Sequence, residues 1–271
     1  MAKKTFLGLL QEAMDYYVKH GYVDQIGLDR WTSALRAHLL GEIKTPEQIE
    51  KDMRSAMGKV FESLVTKGGA VKSMPGVSAF IVNNIRPELR SELNKRILAS
   101  ANLIKLNRSE RIDSTLRRFQ GWATSVPEGG IKDIDRRKVK DSIAKGYKRI
   151  SFEERRVQID QAAKLSATVH DIVATQAGAI AVKWHSHFRQ AGYDYREDHK
   201  QRDGKIYLIR ESWAKSKGLV KPGDAGYIDE VTFFHEEPFC RCNGKYIFNI
   251  QDMPEDMLTS KGRAAIAAHN K

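Results

Sequence analysis

Apolar residues recur every three or four positions through most of the first 190 residues, the spacing that gives an α-helix one buried face. In FLGLLQEAMDYYV, Phe6, Leu9, Leu10, Ala13, Met14 and Tyr17 share that face. A second helix is expected over Leu28 to Leu40. KTPEQIEKDM then carries a helix start: Thr45 as N-cap, Pro46 at the first helical position and Gln48 closing a capping box. Ile49, Met53, Met57, Val60 and Leu64 continue the stripe, and the glycines and proline of KGGAVKSMPGVS end it in a loop. The helical pattern resumes from Pro87 to Trp122, and SVPEGGIKD, from Ser125 to Asp133, reads as a linker. A short basic helix follows in DIDRRKVKDSIAKGYKRI. Ser151 and Glu154 form a further capping box, opening a long helix with Leu165, Val169, Ile172, Val173, Gln176 and Ile180 on one face. That helix is expected to run to Arg189, with Gly192 as its stop.

Beyond Gly192 the pattern changes. DGKIYLIR, GYIDEVTFFH and GKYIFNI are aromatic and β-branched and read as three short strands, with Asp203-Gly204 and Asn243-Gly244 as hairpin-type turn dipeptides. The tail, SKGRAAIAAHNK, reads as a weak terminal helix or a mobile arm. The expected fold class is α+β. A mainly helical, basic N-terminal body, 1–150, precedes a small C-terminal α+β unit, 151–271, built from the long helix and short antiparallel strands.

Composition changes this picture little: 41% hydrophobic and 30% charged residues describe a globular chain. No apolar run approaches the roughly 20 residues that span a bilayer, so no membrane partner is expected. The start, MAKKTFLGLLQEAMDYY, has basic residues and a short apolar patch, but acidic residues follow at once and no small-residue cleavage site appears; no signal peptide is read there, and the cytoplasm is the expected site of synthesis and residence.

Charge changes the picture more. Residues 151–271 carry 18 Lys+Arg against 17 Asp+Glu, so of the chain's 46 and 34, residues 1–150 hold 28 against 17. Most of that excess lies in 84–150, with 17 basic and 8 acidic residues. DNA or another nucleic acid, an acidic protein surface, or a merely solvated helical face would each account for it.

Candidate chemistry sits in the last third. His170, His185, His187, His199 and His235 fall there, followed by the only two cysteines, Cys240 and Cys242. Two cysteines at i and i+2 in a strand stand about 6.6 Å apart, from a rise of about 3.3 Å per residue, close to the limit for a disulfide. Reduced thiols fit a reducing compartment. A structural zinc site is one reading: Cys240, Cys242, His199 and either His185 or His235 as tetrahedral ligands stapling a unit with little core. The other reading is two partly buried thiols beside a turn. A Cys–His nucleophile or a metal-dependent nuclease around Asp198-His199 would make the chain an enzyme, but no local signature selects either. GLVKPGD lacks the Gly-Lys-Ser/Thr core of a P-loop, and no nucleophile elbow is present.

The order of these elements is more informative than any one. A long helix runs into Lys183-Trp184; Arg196 stands three residues before His199; Asp203-Gly204 and a Pro222-Gly223-Asp224 turn follow, and Cys240-Arg241-Cys242 closes the segment. This order resembles the phage Mu F-like head morphogenesis family, the minor head proteins of tailed bacteriophages, over roughly residues 150–250. After Trp184 the family often has a small residue and an aspartate where this chain has HSHF. The resemblance implies a non-enzymatic virion component, present in several copies near the portal vertex and in the host cytoplasm during assembly. It implies the portal protein and other head proteins as partners, and a part in head assembly, DNA packaging or DNA exit. It carries over Arg196, His199, Asp203, Gly204, Cys240, Arg241 and Cys242 as a motif core with a structural role. The alternative expectation is a cytoplasmic metal-dependent nucleic-acid-processing enzyme that uses the His/Cys cluster.

Overall fold

The computed structural model describes residues 5–269. They form a helical body with a small three-stranded antiparallel sheet near the C-terminus, an α+β fold. Ten α-helices are described: α1 Phe6–His20, α2 Gln25–Glu42, α3 Pro46–Phe61, α4 Gly69–Ser73, α5 Ala79–Asn84, α6 Arg86–Ser125, α7 Arg136–Gln176, α8 Glu197–Gln201, α9 Trp213–Ser216 and α10 Ser260–His269. The strands are β1 Ala181–His185, β2 Ile206–Leu208 and β3 Asn243–Ile247, in the order β2-β1-β3. No helix among the described residues is long and apolar enough to cross a membrane. Two compact units emerge, and each draws on two separate stretches: 5–53 with 98–157, and 54–97 with 158–269. Residue 150 lies inside α7, not at a boundary between elements.

In the first unit the α1 face lies where its spacing puts it, with Phe6, Leu10, Met14 and Tyr17 packed among Leu35, Leu39, Ile112, Leu116, Phe119 and Ile143. Thr5 and Asp24 cap α1 and α2 through their side-chain oxygens, which accept from the Gly8 and Gly27 N–H groups. The Thr45/Gln48 capping box forms in both directions, at 2.8 and 3.3 Å. The segment read as a linker is a packed connection: Ile131 N–H donates to Val18 O and Tyr22 N–H to Val126 O, which ties it to the end of α1. The Ser151 capping box does not form a helix start. Residues 136–176 are one continuous helix, because nothing N-terminal to Ser151 breaks the backbone ladder.

In the second unit the stripe that opens in α3 changes register. A single π-helical turn, Glu62–Thr66, buries Phe61 and Val65 and leaves Leu64 only half-buried. The expected loop at 67–78 contains α4. α7 ends at Gln176, well short of Arg189. Gly178 takes a left-handed φ of 84°, Ala179 N–H donates to Ala174 O and Gly178 N–H to Thr175 O, the paired bonds of a Schellman stop. The chain then enters β1, which the periodicity assigned to the helix.

β1 is the central strand, and its side chains alternate between two cores. Ala181 joins Leu208, Leu219, Val220, Met257 and Leu258 on one face; Val182 and Trp184 join Tyr207, Phe234, Cys240 and Cys242 on the other. The strand expected in GYIDEVTFFH is absent. That segment holds a 3-10 turn, Ile228–Glu230, and an irregular run that still buries Phe234. Asn243-Gly244 is not a turn either: it begins β3, with Gly244 opposite Trp184. Asp203-Gly204 turns α8 into β2, and Gly204 N–H donates to Trp184 O at 2.8 Å, so the turn seals a long excursion, 186–203, at the end of the β1–β2 pair. The tail forms α10.

Candidate metal centre

The excursion after β1 carries α8, and α8 carries His199, which is 1% exposed. A second excursion, 233–242, brings Cys240 and Cys242 to the same place, 2% and 0% exposed. His199 Nδ1 lies 3.6 Å from Cys240 Sγ and 3.5 Å from Cys242 Sγ. Zinc bonds of about 2.3 Å to sulfur and about 2.0–2.1 Å to nitrogen, set at a tetrahedral angle, give nitrogen–sulfur edges of about 3.5 Å. The two observed edges match that length. Together these three ligand atoms form a group of metal-binding dimensions.

The far side of His199 is equally ordered. Nε2 faces Asp198 Oδ2 at 3.8 Å and Glu237 Oε2 at 3.9 Å. Each carboxylate is held by its own arginine: Asp198 by Arg202 at 2.7 Å, and Glu237 by Arg196, which also donates to Pro238 O at 3.0 Å. Both carboxylates lie beyond hydrogen-bonding distance of the ring, so Nε2 is buried without a hydrogen-bond partner. The ring is further held edge-on by Trp184, centroids 5.7 Å apart, over which the Arg202 guanidinium lies at 5.1 Å.

The two thiols share one proton. Cys240 is pushed down to about 5, first because the Cys242 thiol donates to it, then because the Cys242 and His235 backbone N–H groups point at its sulfur. Cys242 is pushed up by that same bond and by burial. That bias favours the thiolate form of Cys240, the form that binds a cation. The turn that delivers it is strained: His235 at φ 61° and Phe239 at φ 62° are the non-glycine residues with positive φ among those described. Asp160 on α7 holds it, accepting from Phe239 N–H at 2.6 Å.

The remaining motif residues close the same two excursions. Asp203 Oδ1 accepts from Ser186 N–H at 2.8 Å. Arg241 precedes β3 and is not part of a strand; it stacks on Tyr193 at 5.2 Å and donates to the Gln190 side chain at 3.2 Å. His185 and His235, the expected fourth ligands, are not in the ligand group. His185 ends β1, and His235 keeps its Nδ1 buried without a partner. His187 turns to Asn243, 3.3 Å away. Asp194 is exposed.

Sequence reasoning missed Glu237 as the partner of Arg196, and missed a 340 Å³ pocket in the same unit. Ser73 and His170 meet there, Oγ to Nε2, at 3.1 Å. No family model, curated protein or solved structure matches this chain.

Proposed function

We propose that this chain is a structural minor head protein of a tailed bacteriophage, acting with the portal and other head proteins in assembly, DNA packaging or DNA exit. It would act in the virion head and, during assembly, in the host cytoplasm. The observation that carries this reading is the convergence of the motif core. Arg196, His199, Asp203, Gly204, Cys240, Arg241 and Cys242 span 47 positions of the sequence, and all of them fasten the excursions 186–203 and 233–242 to each other or to β1. That is the behaviour of a folding motif. A catalytic centre needs substrate at its reactive atoms, and the three ligand residues are at most 2% exposed.

Zinc is the ion this donor set favours, since two thiolates and an imidazole suit it over harder cations. When bound it would supply cross-linking of the two excursions. His199 and the cysteines would hold it.

Quantitative mass spectrometry of gradient-purified heads from the host that carries this gene tests the head assignment. The expected result is the chain in heads, at fewer copies than the major shell protein and retained with the portal when heads are disrupted. Its absence from heads and from assembly intermediates, with a normal soluble pool, would overturn the proposal.

A further inference from the structure

None of the three candidate ligands lines the 340 Å³ pocket, though their neighbours Phe234, His235 and Asn243 do. Its position in the fold is informative. The sheet order leaves β3 at an edge, and among the described residues no strand pairs with its outer side. The opposite edge is covered, because Leu208 of β2 bridges Tyr227 and its N–H donates to Gly226 O. The pocket is walled by β3 itself, through Gly244, Lys245 and Tyr246, and by α7 and the end of α4. An open edge beside a cavity is the arrangement by which sheets accept an extended peptide: main-chain bonds supply affinity, and a pocket beside the strand selects a side chain.

The walls say what that peptide would carry. Met74, Pro75, Phe234, Tyr246 and Phe248 make most of the lining apolar, at a volume typical of ligand sites. Ser73 and His170 add a polar wall that is already satisfied. The Ser166 carbonyl lies 2.9 Å from His170 Nδ1, and the Ser73 hydroxyl sits between His170 Nε2 at 3.1 Å and the Ala70 carbonyl, to which it donates, at 3.0 Å. The free charge at the rim is positive: exposed Lys245 lies on the strand, and exposed Lys72 precedes Ser73. No aspartate or glutamate lines the pocket.

We propose that β3 and this pocket form a peptide-docking site, which accepts an extended segment as a fourth strand, with a large apolar side chain in the pocket and acidic residues beside it. The site is independent of the phage reading and of the metal. A partner segment that adds here extends the sheet without disturbing β1, which already holds both of its neighbours.

Selection of random dodecapeptides against the full-length protein tests the site. Enriched sequences should share a bulky apolar residue flanked by Asp or Glu. Hydrogen exchange should then report slowed amides in residues 243–247 when a selected peptide binds. Lys245→Glu, at an exposed position, should weaken an acidic peptide by about tenfold and improve its Lys-flanked counterpart. Ser166→Phe should block the pocket; if that variant melts early, the exchange pattern of the unaltered protein decides alone. Failure to enrich any peptide, enrichment without acidic flanks, or binding that leaves 243–247 unprotected would each overturn the proposal.

Discussion

His199 is buried with Nδ1 against the two sulfurs, while Nε2, 3.8 and 3.9 Å from the Asp198 and Glu237 carboxylates, makes no hydrogen bond. Removing the sulfurs leaves a buried imidazole without its partners. The purified protein is expected to hold about one zinc per chain, and Cys240→Ser with Cys242→Ser to lose it, with early melting confined to the second unit, because metal binding and local folding are linked. Elemental analysis paired with hydrogen exchange across the chain checks this; a double variant that melts and exchanges like the parent would remove the cross-linking role. A second residue-scale contact titrates. Tyr246 OH donates to Asp171 Oδ1 at 2.9 Å; burial, then the Asp171 charge, raise Tyr246 well above its usual value, and burial raises Asp171. The folded chain holds the Tyr246 proton more tightly than the unfolded chain. The contact therefore stabilises fully below about pH 10 and is lost as pH rises further. Tyr246→Phe should cost about 1–3 kcal/mol at neutral pH by leaving a buried carboxyl oxygen without its donor. It should also flatten the fall in melting temperature above pH 10, which alkaline melts of the two proteins compare.

Elements here begin and end where local backbone chemistry dictates, and two serine/threonine capping patterns show how context decides. Thr45 follows an extended segment, so its box forms; Ser151 follows an intact helix, so its box has no orphan N–H groups to satisfy. Thr45→Ala should cost about 1 kcal/mol. Ser151→Ala should stay within about 0.5 kcal/mol of the parent, on the stabilising side, since alanine is the better interior helix former. Chemical denaturation of both variants separates the two cases, and equal costs would contradict the continuous α7. At the α8–β2 turn, Gly204 has φ 80° and no atom within 4 Å of where a Cβ would stand. Gly204→Val should therefore lose at least about 1 kcal/mol through backbone strain alone. Unchanged melting would mean the turn adopts another conformation.

Across the whole molecule, much of the basic excess is structural. Arg108 and Arg111 pair with Glu154 and Glu153, Arg136 with Asp15, Lys148 with Asp141, and Arg118 donates to the Ser142 carbonyl. The exposed run Arg137-Lys138 at the start of α7, with Lys140 beside it, is where a polyanion would find its charges. The proposed DNA contact predicts binding that ignores sequence and weakens steeply with salt. Changing these three residues to glutamine should lower the log–log salt slope by about 2–3. Binding with no salt dependence, or none at low salt, would assign the basic surface to an acidic protein instead.

By itself the sequence determined most of the helical faces and the cap at Thr45, and it singled out His199, Cys240 and Cys242 as candidates without the fourth ligand it sought at His185 or His235. A helix buries whichever side chains share its period, and a two-residue Cys-x-Cys spacing needs no folding to bring its thiols together. Only the tertiary structure decided the rest. β1 was hidden in AIAVKWH because a central strand buried on both faces reads as an unbroken apolar run, which periodicity cannot tell from the end of a helix. The sequence reads Gly192 as the stop; the β1 ladder to β2 and β3 goes with an earlier one, at Gly178. Phe233 and Phe234 looked like a strand because burial needs only an apolar side chain, and irregular backbone held by Asp160 and Glu236 meets that need as well. Glu237 entered the site for the same kind of reason. Its pairing with Arg196 depends on two excursions, each closed by contacts far apart in the chain, and no spacing along a single segment encodes such a meeting.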